Sequence, residues 1–207
     1  MRLVLISDTH GAHRHVDVPD GDVLLHAGDV TFFGRLSDLP DVNAWFERLP
    51  HKHKLLVPGN HDFYFEEPTL QQARALLPEV QILIDQAVEI DGVHFYGSPY
   101  QPDFYDLAFN LPRGAPLAEK WSLIPPETDV LMTHTPPYEI LDWTMRGAKV
   151  GCEELRRVVD RIRPKLHLFG HIHEAYGQHT ENGTHFVNAS ICNFHRQPSN
   201  KPIVIDL

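Results

Sequence analysis

The segment FGHIHEAYG, residues 169–177, sets His171 and His173 one residue apart, directly after an apolar run and a glycine. Such a pair offers two imidazole nitrogens to a divalent cation, but it also arises as ordinary polar punctuation at a strand end. Its weight depends on what else the chain brings to the same place. Four other apolar runs end in the same manner: LVLISDTH delivers Asp8 and His10, VLLHAGDV delivers Asp29, KLLVPGNHD delivers Asn60 with His61 and Asp62, and VLMTHTPP delivers His134. Read alone, each of these is a turn residue or a solvated polar residue. Read together they form one site, because loops at the carboxyl ends of neighbouring strands in an α/β sheet converge on one crevice. Carboxylate, imidazole and amide donors without a cysteine favour hard or borderline first-row divalent ions over a thiolate site. Two such ions roughly 3.5–4 Å apart can clamp the oxygens of a phosphoryl group during in-line displacement, so phosphate ester chemistry is what this set fits.

The elements that must position these residues are visible as short apolar, β-branched runs. They predict strands at Leu3–Ile6, Val23–His26, Lys54–Val57, Ala87–Ile90, His94–Tyr96, Val130–Thr133, Leu166–Phe169, Thr184–Asn188 and Ile203–Ile205. Helical spacing falls between them at Val42–Leu49, Leu70–Leu77, Leu117–Leu123 and Glu153–Ile162, with Pro68 and Pro116 where helices can begin. The pattern is that of an α/β protein. Asp91-Gly92 and Asn182-Gly183, flanked by alternating residues, predict tight hairpins, so the sheets are expected to be mixed. The irregular stretches 97–115 and 134–151 are long for a compact domain, and loops of that length are usually functional or disordered.

Composition limits the partners. The chain has 207 residues, 42% of them hydrophobic, enough to bury one sizeable core, and a single domain over 1–207 is expected. A net charge of −10 argues against duplex nucleic acid as a partner, since that affinity needs a basic footprint. The apolar run at the N-terminus is too short for a signal peptide or a membrane span. Two isolated cysteines, Cys152 and Cys192, make a disulfide framework improbable and point to a reducing, cytoplasmic compartment. Fifteen histidines are many for this length and direct attention to metal.

Taken in order, DTH, GDV, GNHD, THTPP and GHIH resemble the signature blocks of the calcineurin-like metallophosphoesterases, and they span residues 8–173. MTHTPPYEILDW, GCEEL, RPKLHLFGHIHEAYG, VNASICN and QPSNKPIVIDL extend the likeness over most of the chain. There it is similar to the small class III phosphodiesterases named for the animal brain metallophosphoesterase-domain proteins. The resemblance implies a four-layer α/β/β/α sandwich of two mixed sheets. It implies two divalent ions per chain, Mn²⁺ being expected and Fe, Zn, Ni, Co or Mg the alternatives. Asp8, His10 and His173 would bind one ion, Asn60, His134 and His171 the other, and Asp29 would bridge them, with hydroxide on the metals as nucleophile. Some members of that subfamily carry Gly at the position of His171; here the ligand is present.

By the same resemblance His61 would face the substrate, and Asp62 would either orient it or cap a turn. Substrate contacts are expected from His13, Arg14, Arg146 and Lys149, each of which also reads as a solvated surface residue. Phe104, Tyr105 and Phe109 could cover a base or could pack. His26, His51, His53, His94 and His167 lie in or beside strands and are given no role. The leading expectation is a phosphodiesterase for small phosphodiesters or nucleotides, cyclic nucleotides among them. Its rivals are a phosphomonoesterase or protein phosphatase, a dinucleoside polyphosphate hydrolase and a non-catalytic metal-binding scaffold; the oligomeric state is left open.

Overall fold

The alternation of side chains along β1 (Arg2–Ile6) decides the layering. Leu3 and Leu5 face one way, Val4 and Ile6 the other, and all four are buried, as expected of a strand covered on both faces. Each such side chain stabilises the fold by about 1.5–3 kcal/mol relative to exposure. The computed structural model describes residues 1–207. After β1 come β2 (Val23–His26), α1 (Leu39–Arg48), β3 (His53–Leu56), α2 (Leu70–Leu76), β4 (Gln81–Ile82), β5 (Gln86–Ile90) and β6 (Val93–Ser98). Then follow β7 (Gln101–Pro102), β8 (Asn110–Leu111), α3 (Ala115–Trp121), β9 (Val130–Thr133) and α4 (Glu153–Ile162). The chain ends with β10 (Leu166–Phe169), β11 (Gly177–Glu181), β12 (Thr184–Asn188) and β13 (Ile203–Asp206).

One sheet runs β13-β1-β2-β3-β4 and the other β11-β12-β10-β9-β6-β5, each mixed, with β7 and β8 forming a separate pair. Three apolar clusters show how the layers stack. Leu3, Leu5, Leu25 and Leu55 of the first sheet meet Phe95, Met132, Leu168 and Val187 of the second. On the outer face of the first sheet, Val4, Ile6 and Leu24 pack on Val42, Trp45 and Phe46 of α1 and Ala73 of α2. On the outer face of the second, Leu131, Phe169 and Phe186 pack on Leu117 and Trp121 of α3 and Leu155 and Val159 of α4. The order is α/β/β/α, as the resemblance implied.

The long elements lie where periodicity put them. Helix α1 starts at Leu39 rather than Val42, because Pro40 is accommodated in the first turn. Both hairpin turns have positive φ at the two central residues, Asp91 and Gly92, then Asn182 and Gly183. Strands β4, β7 and β8 are two residues each and carry no period to read. Strand β11 is nearly all polar and was implied only by its hairpin. No helix is long and apolar enough to cross a membrane.

Strands β1, β2 and β3 run parallel, as do β6, β9, β10 and β12, so their carboxyl ends gather at one edge of each sheet. Beyond those ends the two sheets are joined. Ser7 pairs with Ser190 in a parallel bridge, with Ser7 N donating to Ala189 O at 2.9 Å and Ile191 N to Ser7 O at 2.8 Å.

His167 on β10 is fully buried between Phe169 and Phe186, and burial pushes its imidazole down to about 3. Its folded pKa lies below the unfolded value of about 6.5, so between these values the unfolded chain binds the proton and stability falls as pH falls. From pH 7 to pH 5 this one group is expected to cost about 2 kcal/mol. His167→Leu should therefore lose less stability over that interval than the wild type in denaturant unfolding; equal losses would remove His167 from the acid response.

Candidate metal centre

Six strand ends deliver the site. Asp8 and His10 follow β1, Asp29 follows β2, Asn60 and His61 follow β3, His134 follows β9, His171 and His173 follow β10, and Ser190 and Asn193 follow β12. Asp8, His10, Asp29 and His171 have positive φ, 52°, 44°, 55° and 66°, so each turns the chain sharply just past its strand. Asp and His tolerate that left-handed region better than bulky apolar residues do, and residues held there cluster at functional sites. The corners are laced together: Asp8 N donates to Gly28 O at 2.8 Å and His10 N to Asp29 O at 2.9 Å.

The glycines of two motifs have a steric reason. A Cβ on Gly59 would lie 2.2 Å from Asp29 Oδ1, and one on Gly170 would lie 2.0 Å from Asp8 Oδ2. Only glycine lets these backbones approach the two carboxylates so closely.

Asp8 and Asp29 are buried, and their carboxylates lie among imidazole nitrogens. His173 Nε2 is 3.4 Å from Asp8 Oδ1, His10 Nε2 is 3.6 Å from Asp29 Oδ2, and His134 Nε2 is 3.5 Å from Asp29 Oδ2. Asn60 Oδ1 lies 2.8 Å from His134 Nε2. His10 and His173 bring their Nε2 atoms within 3.1 Å of each other. That is the spacing of two nitrogens on one ion with bonds about 2.0–2.1 Å long. Three overlapping groups, Asp8–His10–His173, His10–Asp29–His61 and Asp8–Asp29–His134, each hold their donor atoms within 4.8 Å of one another. His171 joins them through its backbone N, 3.0 Å from Asp8 Oδ2, and its ring, whose centroid is 5.0 Å from that of His134.

Partners outside this shell aim the rings. A carbonyl oxygen only accepts, so His134 Nδ1–H donates to Ala27 O at 2.8 Å and His173 Nδ1–H to Asn193 O at 3.0 Å, which turns each Nε2 inward. His61 Nδ1–H likewise donates to Phe32 O at 3.0 Å while its ring stacks on Phe32. His10 is the exception; its Nδ1 is buried without a partner. Ser190 Oγ donates to Asp8 Oδ2 at 2.8 Å, and His61 N to Asp29 Oδ1 at 2.8 Å.

Burial opposes ionisation of Asp8, but the hydrogen bond and charge of His173, joined by His134, hold its carboxyl below the usual range. Burial opposes ionisation of Asp29 as well, and His134 above all pulls it down. The partners move the other way. Against the cost of burial, Asp29 raises His134 to about 9 and Asp8 raises His173 to about 9. Burial takes His10 down to about 4 and His171 down to about 3, the latter with help from positive His134, so both keep a free lone pair. Two buried carboxylates set among imidazoles call for positive charge at this place; a divalent cation can supply it, and the donor set fits one.

Two expectations are corrected, and of the two readings of Asp62 the turn cap is the one the structure supports. Asp62 does not touch the His61 ring. Its buried carboxylate accepts from Gly59 N at 2.9 Å, Val30 N and Thr31 N at 3.2 Å each, and Tyr64 OH at 2.8 Å, so it pins the β3 loop to the β2 loop. Burial, then negative Asp29, raises its carboxyl to about 6. Next, His13 and Arg14 are both bound to Asp41 of α1, because the short helix His13–His15 turns His13 inward against Trp45. Finally, Lys149 is paired with Glu139; Arg146 is exposed and in no ion pair. Residue types alone did not reveal Ser190, Asn193 or Phe32, although VNASICN contains the first two and belongs to the likeness noted above.

The fold and site together define a metallophosphoesterase. Residues 1–175 match the family model of the calcineurin-like phosphoesterases, and the chain belongs to that family of dinuclear metal-dependent enzymes. It is 42% identical over 230 residues to the human metallophosphoesterase domain-containing protein 1, covering all of this chain and 71% of that protein. It is 42% identical over 217 residues to a UPF0046 protein of Caenorhabditis elegans, covering 99% and 74% of the two chains. Among solved structures, the phosphopantetheinyl hydrolase of Mycobacterium tuberculosis superposes with a TM-score of 0.67 at 15% identity, over 98% of this chain and 95% of that one. The protein TT1561 of Thermus thermophilus superposes with a TM-score of 0.58 at 18% identity, over 90% and 88%. At such identities these two likenesses speak to the fold alone.

Ser190→Ala removes the hydroxyl that holds Asp8 without touching a proposed ligand. Calorimetric titration with Mn²⁺ is expected to give an affinity about 10–100-fold lower than wild type. Unchanged affinity would mean that the Ser190 hydroxyl does not tune the site.

Proposed function

We propose that this chain is a phosphodiesterase acting on small phosphodiesters, cyclic nucleotides among them, with Mn²⁺ as the expected ion. Asp8, His10 and His173 would hold one cation, Asn60, His134 and His171 the other, and Asp29 would be shared. When bound, the two cations supply positive charge to the phosphoryl oxygens and acidify a water molecule. The protein's own contribution rests on His61. Because Nδ1 of its ring is fixed on Phe32 O, Nε2 is left to face substrate, beside His10 at a ring-centroid distance of 5.0 Å. From there, when Nε2 carries a proton as well as Nδ1, it would stabilise the phosphoryl transition state or protonate the departing oxygen.

A diester carries one negative charge and a monoester close to two at neutral pH. The diester reading is supported by the pairing of Arg14 with Asp41 and of Lys149 with Glu139, which takes two of the expected cationic contacts away from a second phosphate charge. The proposal of a cytoplasmic enzyme is supported by two buried, unpaired thiols, Cys152 and Cys192.

His61→Ala is expected to keep its metal and to lose about 10²–10⁴-fold in kcat on bis(p-nitrophenyl) phosphate. His171→Gly is expected instead to bind one ion less and to lose activity with it. Metal analysis alongside kinetics separates the two, and metal loss by His61→Ala equal to that of His171→Gly would make His61 a ligand. Parallel assays on p-nitrophenyl phosphate and a cyclic-nucleotide panel test the substrate class. A preference for the monoester would replace the diesterase reading.

A further inference from the structure

The loop between β7 and β8 contains three aromatic residues, and the structure separates them. Phe109 is buried in the core, and its backbone N donates to Glu66 Oε1 at 2.9 Å. Phe104 and Tyr105 are instead 47% and 84% exposed, with ring centroids 4.6 Å apart. Exposed rings need no explanation singly, but Phe104 is fixed at the metal centre and Tyr105 packs on it. The Phe104 ring sits edge-on to His171 at 5.6 Å. Asn110 Nδ2 donates to Phe104 O at 3.3 Å and Tyr105 O at 2.8 Å, Phe104 N donates to Asn110 Oδ1 at 3.3 Å, and Ala108 N donates to Asn60 O at 3.1 Å. The loop is therefore tied to the same residue that the proposed second cation uses. Its charges are one-sided: Asp103 and Asp106 flank the two rings, both exposed and in no ion pair, and the stretch 100–112 has no Lys or Arg.

A second aromatic pair borders the centre at His61 instead of His171: Phe32 is stacked on His61 at 5.7 Å, with Phe33 edge-on to it at 4.3 Å. If His61 serves the departing oxygen, that side belongs to the leaving group, and the His171 side is left for the ester group that stays on phosphorus.

We infer that Phe104 and Tyr105 form a platform for the retained ester group of the substrate, and that this group is aromatic and carries no negative charge of its own. The inference rests on the phosphodiesterase reading and narrows it to acyclic diesters, because in a cyclic nucleotide the leaving and retained oxygens belong to one ribose. Ring faces offer stacking that every planar group can use, while Asp103 and Asp106 repel a second phosphate or a carboxylate at the same place. Polyphosphates and substrates with an anionic retained group are thereby disfavoured, whatever their leaving group.

The test compares Mn²⁺-loaded protein on three p-nitrophenyl phosphodiesters whose retained groups are methyl, phenyl and 4-carboxyphenyl. For each, kcat/KM is divided by the ester's uncatalysed rate. The phenyl ester is expected to exceed the methyl ester by about tenfold, the size of one stacking contact, and the carboxyphenyl ester to lose most of that gain. Calorimetry with the non-chromogenic pair should agree, diphenyl phosphate binding about tenfold more tightly than dimethyl phosphate. The double variant Phe104→Ser, Tyr105→Ser should abolish both differences, whereas Leu123→Ser, an exposed apolar residue just beyond α3, should preserve them. Equal values for the phenyl and methyl esters, or a preference that survives the double variant, would overturn the platform while leaving a phosphodiesterase in place. Failure to turn over any of the three diesters would overturn the reading beneath it as well.

Discussion

Asp8 and Asp29 are buried side by side, and each carboxylate raises the energy of the other. Removing one unpaired carboxylate from water costs several kcal/mol even after relaxation, so two of them can persist only with positive charge between or beside them. The surroundings follow from that demand. The Nε2 atoms of His134 and His173 lie 3.5 and 3.4 Å from carboxylate oxygens, Ser190 and the backbone N–H groups of His61 and His171 donate to carboxylate oxygens, and Gly59 and Gly170 leave room for the approach. A pair of divalent cations would meet the same demand with four positive charges. The chain keeps an expensive arrangement at the one edge where both sheets open.

The frame that holds it is stiff for reasons far from chemistry. β1 and β2 bury alternating side chains against the second sheet and against helices, which fixes where Asp8, His10 and Asp29 emerge. The Ser7–Ser190 bridge then locks the two sheets at their carboxyl ends, so the proposed ligands from β1 and β3 keep register with those from β9 and β10. Asp62 extends the lock sideways by tying Gly59 to Val30 and Thr31. The four left-handed corners at Asp8, His10, Asp29 and His171 are strained positions that such a frame can enforce.

How much of this was legible depended on whether a residue acts through its type or its backbone. Asp8, His10, Asp29, Asn60, His134, His171 and His173 could be picked out because strand-end position and donor chemistry coincide in each. Leu3–Ile6, Val130–Thr133 and Leu166–Phe169 were legible because strands buried on both faces read as continuous apolar runs. Ala27, Phe32 and Asn193 were not, since they act through carbonyl oxygens, which every residue possesses. His13 and Arg14 misled for a related reason: their types suit a phosphate, but Asp41, 28 and 27 residues away in sequence, was closer in the fold. Asp62 was legible as a turn cap on Gly59, but not as the tie to the β2 loop, because the donors Val30 N and Thr31 N come from another strand's loop.

The central claim is that Asp29 is shared between two cations, and metal stoichiometry tests it most directly. Wild type, Asp8→Asn and Asp29→Asn, all near-isosteric, would be stripped, reconstituted with Mn²⁺, desalted and analysed for metal per chain. The account predicts two ions in the wild type, the loss of one with Asp8→Asn and the loss of both with Asp29→Asn. Two ions retained by Asp29→Asn, or fewer than two in the wild type, would contradict it.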